Sequence, residues 1–572
     1  MSLKTPLAHN RLKRNVFDLS ERHLFTGSIG ELLPCYVKEC VPGDKFVIKP
    51  QVFLRTMPMQ TASFVRLKQT VEFFKVPIRL LWSKFPQYIS GTKYDTSTYF
   101  KTSDTMSLPM FTLYSKVPSK SDSNKTLHYD SLSDYLINNA LLDGFNSSSK
   151  LLDLLGYGCF DPSDPSSLPP SRKASLKVTP FRLLAYQKIY QDFYRNPLYE
   201  DQDVSFTNVD SIANGTSSYP PDIFNGKYDT SFDKYFPIFK LRYRNLKSDY
   251  FTNNRPSFAG VMWQQVSPSA PFFPTNGTDG RYGDFKSFKY NDQPFIINSD
   301  PIDTSESELT FGFSINNLRS AYALDKLLDN TARSKDGCYV HQMETRFGIK
   351  PRVDDFHSLF LGGCDAPVQI GEVVSTSAEG SAPLGTIGGK AMSFNNGIIN
   401  CECDEHCIIM GILSLVPEVD YPSYGVDREV LKSYREEFFT PEFQDLGFQP
   451  TYYGEFSSSH NEKRASTHPD HDDMSVLGWN PRYSEYKTGI DKVHGSFNRD
   501  GSLHMWCAPY NSHTSFDQKF NVEDLKVNPS MFDTLFYVNY DGSSKNDQFL
   551  FNANFDVKAI RPMSISGLPY AN

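Results

Sequence analysis

The densest group of side chains that could do chemistry lies at Cys401, Cys403, His406 and Cys407. Thiolates and imidazoles are the ligands that zinc prefers, so the composition of this segment suggests a zinc site. The spacing argues against it, because on an extended strand His406 and Cys407 point to opposite faces, and one tetrahedron collects all four ligands only across a sharp turn. Buried or half-buried free thiols are therefore the favoured interpretation. We predict no resident metal or cofactor.

A second candidate for a metal site is the loop HPDHDD at residues 468–473, which carries two imidazoles and three carboxylates. Such a loop could hold a divalent cation between subunits, since carboxylate oxygens are good ligands for hard cations. A solvated acidic loop is the simpler interpretation, and it is the one we favour.

The usual catalytic signatures are missing, since the sequence contains no G-x-S-x-G, no H-E-x-x-H and no H-x-H. The stretch GTIGGKAMS resembles a phosphate-binding loop, but Leu384 stands where such a loop needs glycine and Ala391 where it needs a hydroxyl. A glycine-rich turn is the favoured interpretation there. Carboxylates are abundant but none is marked out as an acid/base pair, so we predict that the chain is not an enzyme.

Basic residues are concentrated at the beginning of the chain. Up to Arg22, five basic residues stand against Asp18 and Glu21. A cationic arm on an otherwise acidic body can contact phosphates when many copies face one polyanion. An ordinary mobile terminus with solvated charges remains an equal alternative. The candidate nucleic-acid-binding residues are Arg11, Lys13 and Arg14.

Charge and cysteine content exclude several classes of protein. The net charge of −8 argues against a protein that coats nucleic acid over its whole surface. Nine cysteines at irregular spacing make a disulfide framework improbable and favour a reducing compartment. The first residues lack the apolar core of a signal peptide, and the apolar run from Cys407 to Val416 is shorter than a bilayer requires. We therefore expect neither a signal peptide nor membrane insertion.

Strand patterns occur near both ends of the chain. Apolar and polar residues alternate over 65–73 and again over 549–557, and residues 407–416 are apolar on both faces, as in a central buried strand. The apolar segment 535–538 precedes a turn-rich stretch and the strand at 549–557, which predicts a hairpin. Helices are predicted from a cap at Thr179, with Pro180 as the first helical residue, to Pro197, and over about 316–332.

Long polar stretches separate these elements, at about 90–175, 202–233, 253–308 and 455–475. Loops of this length are uncommon in a compact domain unless they carry function or small folds of their own. They retain Phe and Tyr, of which the chain has 45 and 32, so we expect ordered insertions. Aromatic residues and turn formers in this abundance favour strands and ordered loops over helical bundles.

A series of motifs stands in a fixed order along the chain. They lie in segments at 10–44, 73–82, 180–196, 247–252, 315–334, 346–349, 361–377, 476–497, 501–509, 528–530 and 551–570. Taken in this order, they resemble the major capsid proteins of microviruses, the small single-stranded DNA bacteriophages, and especially their gokushovirus-like branch. The similarity extends from Asn10 to Tyr570 and leaves out the polar insertions.

The resemblance implies an all-β fold, an eight-stranded antiparallel jelly roll of the viral capsid type with large loop and helix-containing insertions. It divides the chain into a basic arm at residues 1–24 and one jelly-roll domain at 25–572. It further implies a virion protein that forms pentamers and a 60-copy T=1 shell around circular single-stranded DNA, assembled in the bacterial cytoplasm. The implied partners are a small basic DNA-binding protein, a DNA pilot protein and a receptor on the host surface.

Two other classes of protein stay open at this point. Aromatic loops and spare carboxylates would suit a secreted β-rich carbohydrate-binding protein or glycoside hydrolase, although the missing signal peptide and unpaired cysteines speak against it. A phage spike would be expected to show repeats or a fibrous composition, and the sequence shows neither.

Overall fold

The computed structural model places ten strands in one antiparallel sheet. The residues that the structure describes are 14–90, 108–112, 150–158, 177–200, 207–209, 236–256, 289–290, 293–294, 357–374, 387–444, 447–458, 473–498, 501–508, 510, 524–539 and 546–565. The strands of the sheet are β1 (Asn15–Asp18), β2 (Glu21–Gly27), β3 (Leu33–Cys40), β4 (Lys45–Thr56), β5 (Arg66–Pro77), β10 (Leu359–Val374), β11 (Ile387–Asn396), β12 (Ile399–Glu402), β13 (Cys407–Glu418) and β18 (Phe549–Arg561).

Two groups of strands make up this sheet. In the β4 group, β4 lies between β18 and β11, and β18 pairs in turn with β1 and β2. In the β5 group, β5 lies between β13 and β10, and β13 pairs with β3. Strand β10 joins the groups, because its first part pairs with β5 and its last part, from Gln369, pairs with β11. This arrangement confirms the predicted all-β jelly roll, but the described sheet has ten strands, so the predicted number of eight is not confirmed.

The core lies between the two groups. Tyr36 of β3 and Phe73 of β5 meet Phe555 of β18 with ring centroids 5.1 Å and 6.3 Å from it. Since Tyr36 and Phe73 belong to the β5 group and Phe555 to the β4 group, these rings pack the inner faces against each other. All three side chains are buried.

Three strand predictions are confirmed. The residues predicted to face inward in β5 and β18 are buried, including Gln69, the one polar residue on the inner face of β5. Strand β13 is buried on both faces between β3 and β5, as its uninterrupted apolar run predicts.

The predicted hairpin between 535–538 and 549–557 is wrong, because residues 529–535 form a 3-10 helix and β18 pairs with β1, β2 and β4.

The helix predicted after Thr179 is confirmed as α3 (Phe181–Ile189), continued by a π-helical turn at Tyr190–Tyr194. It begins one residue later than predicted, since Pro180 precedes it as the cap. The helix is buried on nearly all sides, so it is part of the core. The other helices are α1 (Ile78–Leu81), α2 (Phe85–Ser90), α4 (Phe236–Phe239), α5 (Arg428–Leu431) and α6 (Tyr453–Phe456), and residues 150–154 are also helical.

Short strand pairs lie outside the main sheet: β6 (Phe111–Thr112) with β7 (Lys177–Val178), β14 (Tyr421–Pro422) with β17 (Lys492–Val493), and β15 (Phe448–Tyr452) with β16 (Val476–Pro481).

The chain divides into two compact units, residues 1–256 with 350–572, and residues 257–349. In the second unit the structure describes β8 (Lys289–Tyr290) paired with β9 (Gln293–Pro294). The single-domain boundary at 25–572 stays a prediction, and the helix predicted over 316–332 lies outside the described residues.

Strands β1 and β2 place residues 15–18 and 21–27 in the sheet, although the sequence-based boundary assigned residues up to 24 to the arm. The stretch that resembles a phosphate loop is also in the sheet, because Gly388 and Gly389 lie inside β11 rather than in a turn. Among the described helices, none combines the length and the apolar character needed to cross a bilayer.

Candidate functional surface

The outer side of the β4 group exposes large apolar and aromatic side chains. Phe394 of β11 lies opposite Phe53 of β4, Phe53 opposite Asn552 of β18, and Asn552 opposite Leu24 of β2. Phe394 is 57% exposed and Leu24 68% exposed. Such side chains would be costly to leave in water if nothing covered them in the working protein. We call this surface the aromatic face, and its members are Leu24, Phe53, Met392, Phe394 and Leu550.

Basic side chains lie among these residues. The guanidinium of Arg55 lies over the Phe53 ring, 5.2 Å from its centroid, and the Arg22 side chain donates a hydrogen bond of 2.9 Å to Asn552 Oδ1. Among the described residues, no carboxylate pairs with Arg22, Arg55 or Lys390. The aromatic face therefore combines flat rings with cations that no described acid neutralises.

The predicted arm residues are only partly described. Arg14 is exposed and directly precedes β1, whereas Arg11 and Lys13 lie outside the described residues. Because β1 and β2 both pair with β18, the arm leaves the sheet from the same group of strands that carries the aromatic face. The sequence identified the arm but missed the aromatic face, which depends on the register of four strands.

A buried ion pair cluster holds an insertion against the sheet. Lys150 Nζ lies 2.6 Å from Glu31 and 2.8 Å from Asp547, and all three side chains are buried. Burial alone lowers the pKa of Lys150, but the charges of Glu31 and Asp547 outweigh burial and raise it. Burial, with the charge of Asp547, raises the pKa of the Glu31 carboxyl. The cluster fixes residue 150 to the segment just before β18 and to the turn before β3.

A second buried carboxylate joins the helix region to β10. Asp192 accepts hydrogen bonds from the Ser358 backbone N–H at 2.8 Å and from its hydroxyl at 2.6 Å, and Lys188 lies 2.9 Å away. His357 Nδ1 is 3.3 Å from the same carboxylate. These are the residue types of a hydrolase triad, but the Ser358 hydroxyl donates to Asp192 rather than to His357. The group is a structural anchor without an activated nucleophile.

The segment KSDYFT at residues 247–252 forms a turn that is held by hydrogen bonds to the Asp249 carboxylate. The Asp249 carboxylate accepts hydrogen bonds from the backbone N–H groups of Phe251 and Thr252 and from the Tyr421 hydroxyl. Tyr250 donates a 2.6 Å hydrogen bond to Glu455, which is also paired with Arg428. The motif therefore links residues 249–252 to β14 and to α6.

The three cysteines that were considered as zinc ligands, Cys401, Cys403 and Cys407, lie near one another, and Cys40 rather than His406 joins them. Cys40 joins Cys403 and Cys407 in a buried cluster, and Cys401 Sγ is 3.9 Å from Cys403 Sγ. His406 instead lies edge-on against the Phe85 ring. The hydrogen bonds from Cys40 and Cys403 lower the pKa of the Cys407 thiol below its ordinary value. The sequence missed Cys40, since only the pairing of β3 with β13 brings it opposite Cys407.

The loop at residues 468–473, considered as a cation site, lies outside the described residues except for Asp473. The backbone oxygen of Asp473 accepts a hydrogen bond from Gly454. The structure therefore does not test whether this acidic loop is solvated, and that interpretation stays a prediction.

A jelly roll with large insertions is a common fold of viral capsid proteins, which build closed shells from many copies of one chain. The sequence profile of the family described as Capsid protein (F protein) matches residues 6–116 and 156–570. The chain belongs to this capsid protein family, and it is a major capsid protein and a component of the virion. The resemblance to the microvirus capsid proteins is thereby confirmed.

Two relatives agree with this membership. The chain is 23% identical to the Capsid protein VP1 of Chlamydia phage 1 over 595 residues, covering 98% of this chain and 96% of that protein. It is also 23% identical to the Capsid protein VP1 of Bdellovibrio phage phiMH2K over 531 residues, covering 86% and 84%. The alternatives of a secreted carbohydrate-binding protein, a glycoside hydrolase and a spike are set aside by the family membership.

Proposed function

We propose that this capsid protein assembles into pentamers, and the pentamers into a 60-copy T=1 shell that encloses circular single-stranded DNA. The observation that carries the assembly step is a group of exposed apolar and aromatic side chains in the segment that follows β14. Val430 is 75% exposed, and Tyr434, Phe438 and Phe439 are also exposed. Exposed apolar patches mark interaction sites, and aromatic side chains are the usual anchors of subunit interfaces. We call these four residues the insertion patch.

Microscopy of the purified full-length protein and of particles from infected cells tests the assembly. We expect pentamers and closed shells from the unmodified protein, and we expect Val430→Asp/Phe438→Asp to remain a folded, smaller species. Each lost anchor of about 1.4 kcal/mol or more raises the concentration needed for assembly at least about tenfold. The conservative Val430→Thr/Phe438→Leu variant should assemble. A protein that stays monomeric and is absent from virions would contradict the proposal.

The aromatic face and the arm are proposed to contact the packaged DNA. Rings can stack on bases, and Arg22, Arg55, Lys390 and the arm residues Arg11, Lys13 and Arg14 can contact phosphates without reading sequence. Deleting residues up to Arg14 should lower genome retention and reduce its salt sensitivity. An unchanged DNA content and salt dependence in the deleted particle would refute the role of the arm.

The overall charge implies additional cations inside the shell. A chain with a net charge of −8 cannot neutralise a packaged genome by itself. Basic partners or counterions must supply the rest, and the resemblance to the microvirus capsid proteins implies a small basic DNA-binding protein for this role. The same resemblance implies a DNA pilot protein and a receptor on the bacterial surface as further partners. Assembly is proposed to occur in the host cytoplasm, with no catalytic activity of the chain itself.

A further inference from the structure

Two tight turns at one corner of the jelly roll are hydrogen-bonded to each other. The turn 41–44 joins β3 to β4, and the turn 403–406 joins β12 to β13. The Gly43 N–H donates to the Cys403 carbonyl at 2.7 Å, and the Cys403 N–H donates to the Asp44 carbonyl at 2.9 Å. Each turn carries the chain between the β4 group and the β5 group, so this corner couples the two layers of the fold.

Four thiols converge on that corner. Cys40 ends β3, Cys407 begins β13 directly opposite it, and Cys403 lies in the second turn. The Sγ atoms of these three residues all lie within 4.8 Å of one another. Cys401 lies beside this group of three, with its Sγ 3.9 Å from that of Cys403, and a rotation of its side chain would be needed to bring it to the same ion. All four side chains are buried.

These separations suit a zinc ion. With Zn–S bonds of about 2.3 Å, the sulfur atoms of a tetrahedral site are about 3.8 Å apart. The three clustered thiols are thus within about 1 Å of that separation, a change that side-chain rotation can supply. Thiolate ligands in a closed, buried, tetrahedral arrangement are typical of structural zinc sites.

A buried lysine beside the four thiols is a second observation that favours thiolate ligands, which are negatively charged. The Lys75 side chain is buried, and its Nζ donates to the carbonyl of Glu402, between Cys401 and Cys403, at 3.3 Å. In the described part of the chain no carboxylate lies within ion-pair distance of Lys75. A buried ammonium group is stabilised by a nearby negative charge, because desolvation of an unpaired charge is costly. Zinc bound by three or four thiolates carries a net negative charge, which Lys75 would balance.

We propose that Cys40, Cys403 and Cys407 bind a Zn²⁺ ion, with Cys401 as the fourth ligand. On binding, each thiol releases its proton to solvent and its sulfur donates an electron pair to the metal, with no change of oxidation state. The ion links the end of β3 to the β12–β13 turn, so it clamps the two layers of the jelly roll at one corner. His406, which the sequence suggested as a ligand, takes no part.

Metal analysis of the full-length protein tests the site. After purification under reducing conditions and dialysis against metal-depleted buffer, we expect about one zinc per chain, held by a closed site. Cys40→Ser and Cys403→Ser should each lower the zinc content by at least about tenfold. The matched control is Cys35→Ser, a buried thiol on the same strand as Cys40 that bonds to the Gly411 carbonyl instead. That variant should keep its zinc.

A second measurement needs no variant and stays informative if the cysteine variants fail to fold. X-ray absorption at the zinc edge of the unmodified protein should show sulfur ligands at about 2.3 Å. A zinc-free protein with all thiols reduced, a disulfide among these cysteines, bound iron in place of zinc, or a zinc shell of nitrogen and oxygen would each overturn the proposal.

Discussion

Lys150 Nζ donates a 2.8 Å hydrogen bond to Asp547 Oδ1, although the two residues are 397 positions apart in the chain. The same ammonium group contacts Glu31, so one buried cation neutralises two buried carboxylates. The insertion that contains Lys150 is thereby tied to residues near both ends of the sheet. Polar insertions of this capsid protein are fastened through charges as well as through apolar contacts.

Replacing Lys150 with methionine should lower the free energy of unfolding by about 3–5 kcal/mol, because Glu31 and Asp547 are left buried without a counter-charge. Thermal or urea unfolding of the unassembled protein measures the loss. The combined variant Lys150→Met/Glu31→Gln/Asp547→Asn should recover part of it. If the single and the combined variants are equally unstable, the loss is due to packing and the electrostatic account fails.

Acid should weaken the anchor at Asp192. Burial tends to raise the pKa of this carboxyl, but the hydrogen bond from His357 and the charge of Lys188 outweigh burial and hold the pKa below its ordinary value of 3.8. Its stabilising effect is therefore fully present above pH 3.8 and is lost as the pH falls through the lower, folded-state pKa.

At neutral pH, Asp192→Asn should cost about 2–3 kcal/mol of unfolding free energy, because charged hydrogen bonds are lost. Unfolding curves at several pH values should show the difference from the unmodified protein shrinking below pH 3.8. The control is Asp365→Asn, an exposed carboxylate paired with Lys68, which should change stability little. A difference that stays constant with pH would contradict the role of the ionised carboxylate.

Gly389 should not tolerate a side chain. A Cβ there would lie 2.1 Å from the Thr61 carbonyl oxygen, because Gly389 and Met59 exchange backbone hydrogen bonds. Gly389→Ala should therefore cost about 1–3 kcal/mol, measured by unfolding. Gly371, on the neighbouring strand β10, is the control, since its Cβ would meet nothing nearer than 3.7 Å. Equal effects of the two substitutions would disprove the steric explanation.

The aromatic face should matter for DNA rather than for folding. Phe53→Ser/Phe394→Ser should weaken genome retention, since base stacking contributes about 1–3 kcal/mol per ring. The protein should still fold, because Phe394 is exposed and Phe53 is half-buried on the outer side of the sheet. Genome release from purified particles at increasing salt or temperature measures the effect. The matched control is Val16→Ser/Ile560→Ser, an exposed aliphatic pair at the edge of the same group of strands. Unaltered retention in the phenylalanine variant would rule out stacking.

Periodic residues made the sheet largely predictable from the sequence. The alternation around Phe551 and Phe555 and the apolar run from Cys407 each specify a strand, because one face or both faces must be buried. The apolar run at 535–538 misled the prediction, since Leu535 and Phe536 are buried by a 3-10 helix and a bridge to Met59. A short apolar run does not distinguish these structures.

The thiol cluster and the aromatic face could not be predicted from the sequence. Cys40 becomes a neighbour of Cys407 only through the pairing of β3 with β13, and Phe53 a neighbour of Phe394 only through that of β4 with β11. A shift of one residue would place the outward side chains of β11 on the inner face. Nothing near either residue in the chain encodes its partner, so these surfaces depend on the tertiary structure.

The position of β18 also has a consequence for synthesis on the ribosome. Strand β4 lies between β18 and β11, and β1 and β2 pair with β18 rather than with each other or with β4. The first two strands therefore have no sheet to join until residues 549–561 have been translated. The nascent chain exposes an open strand edge for almost the whole of its synthesis. Aggregation through this edge competes with folding until β18 has been made, and chaperones would have to protect the edge during that time.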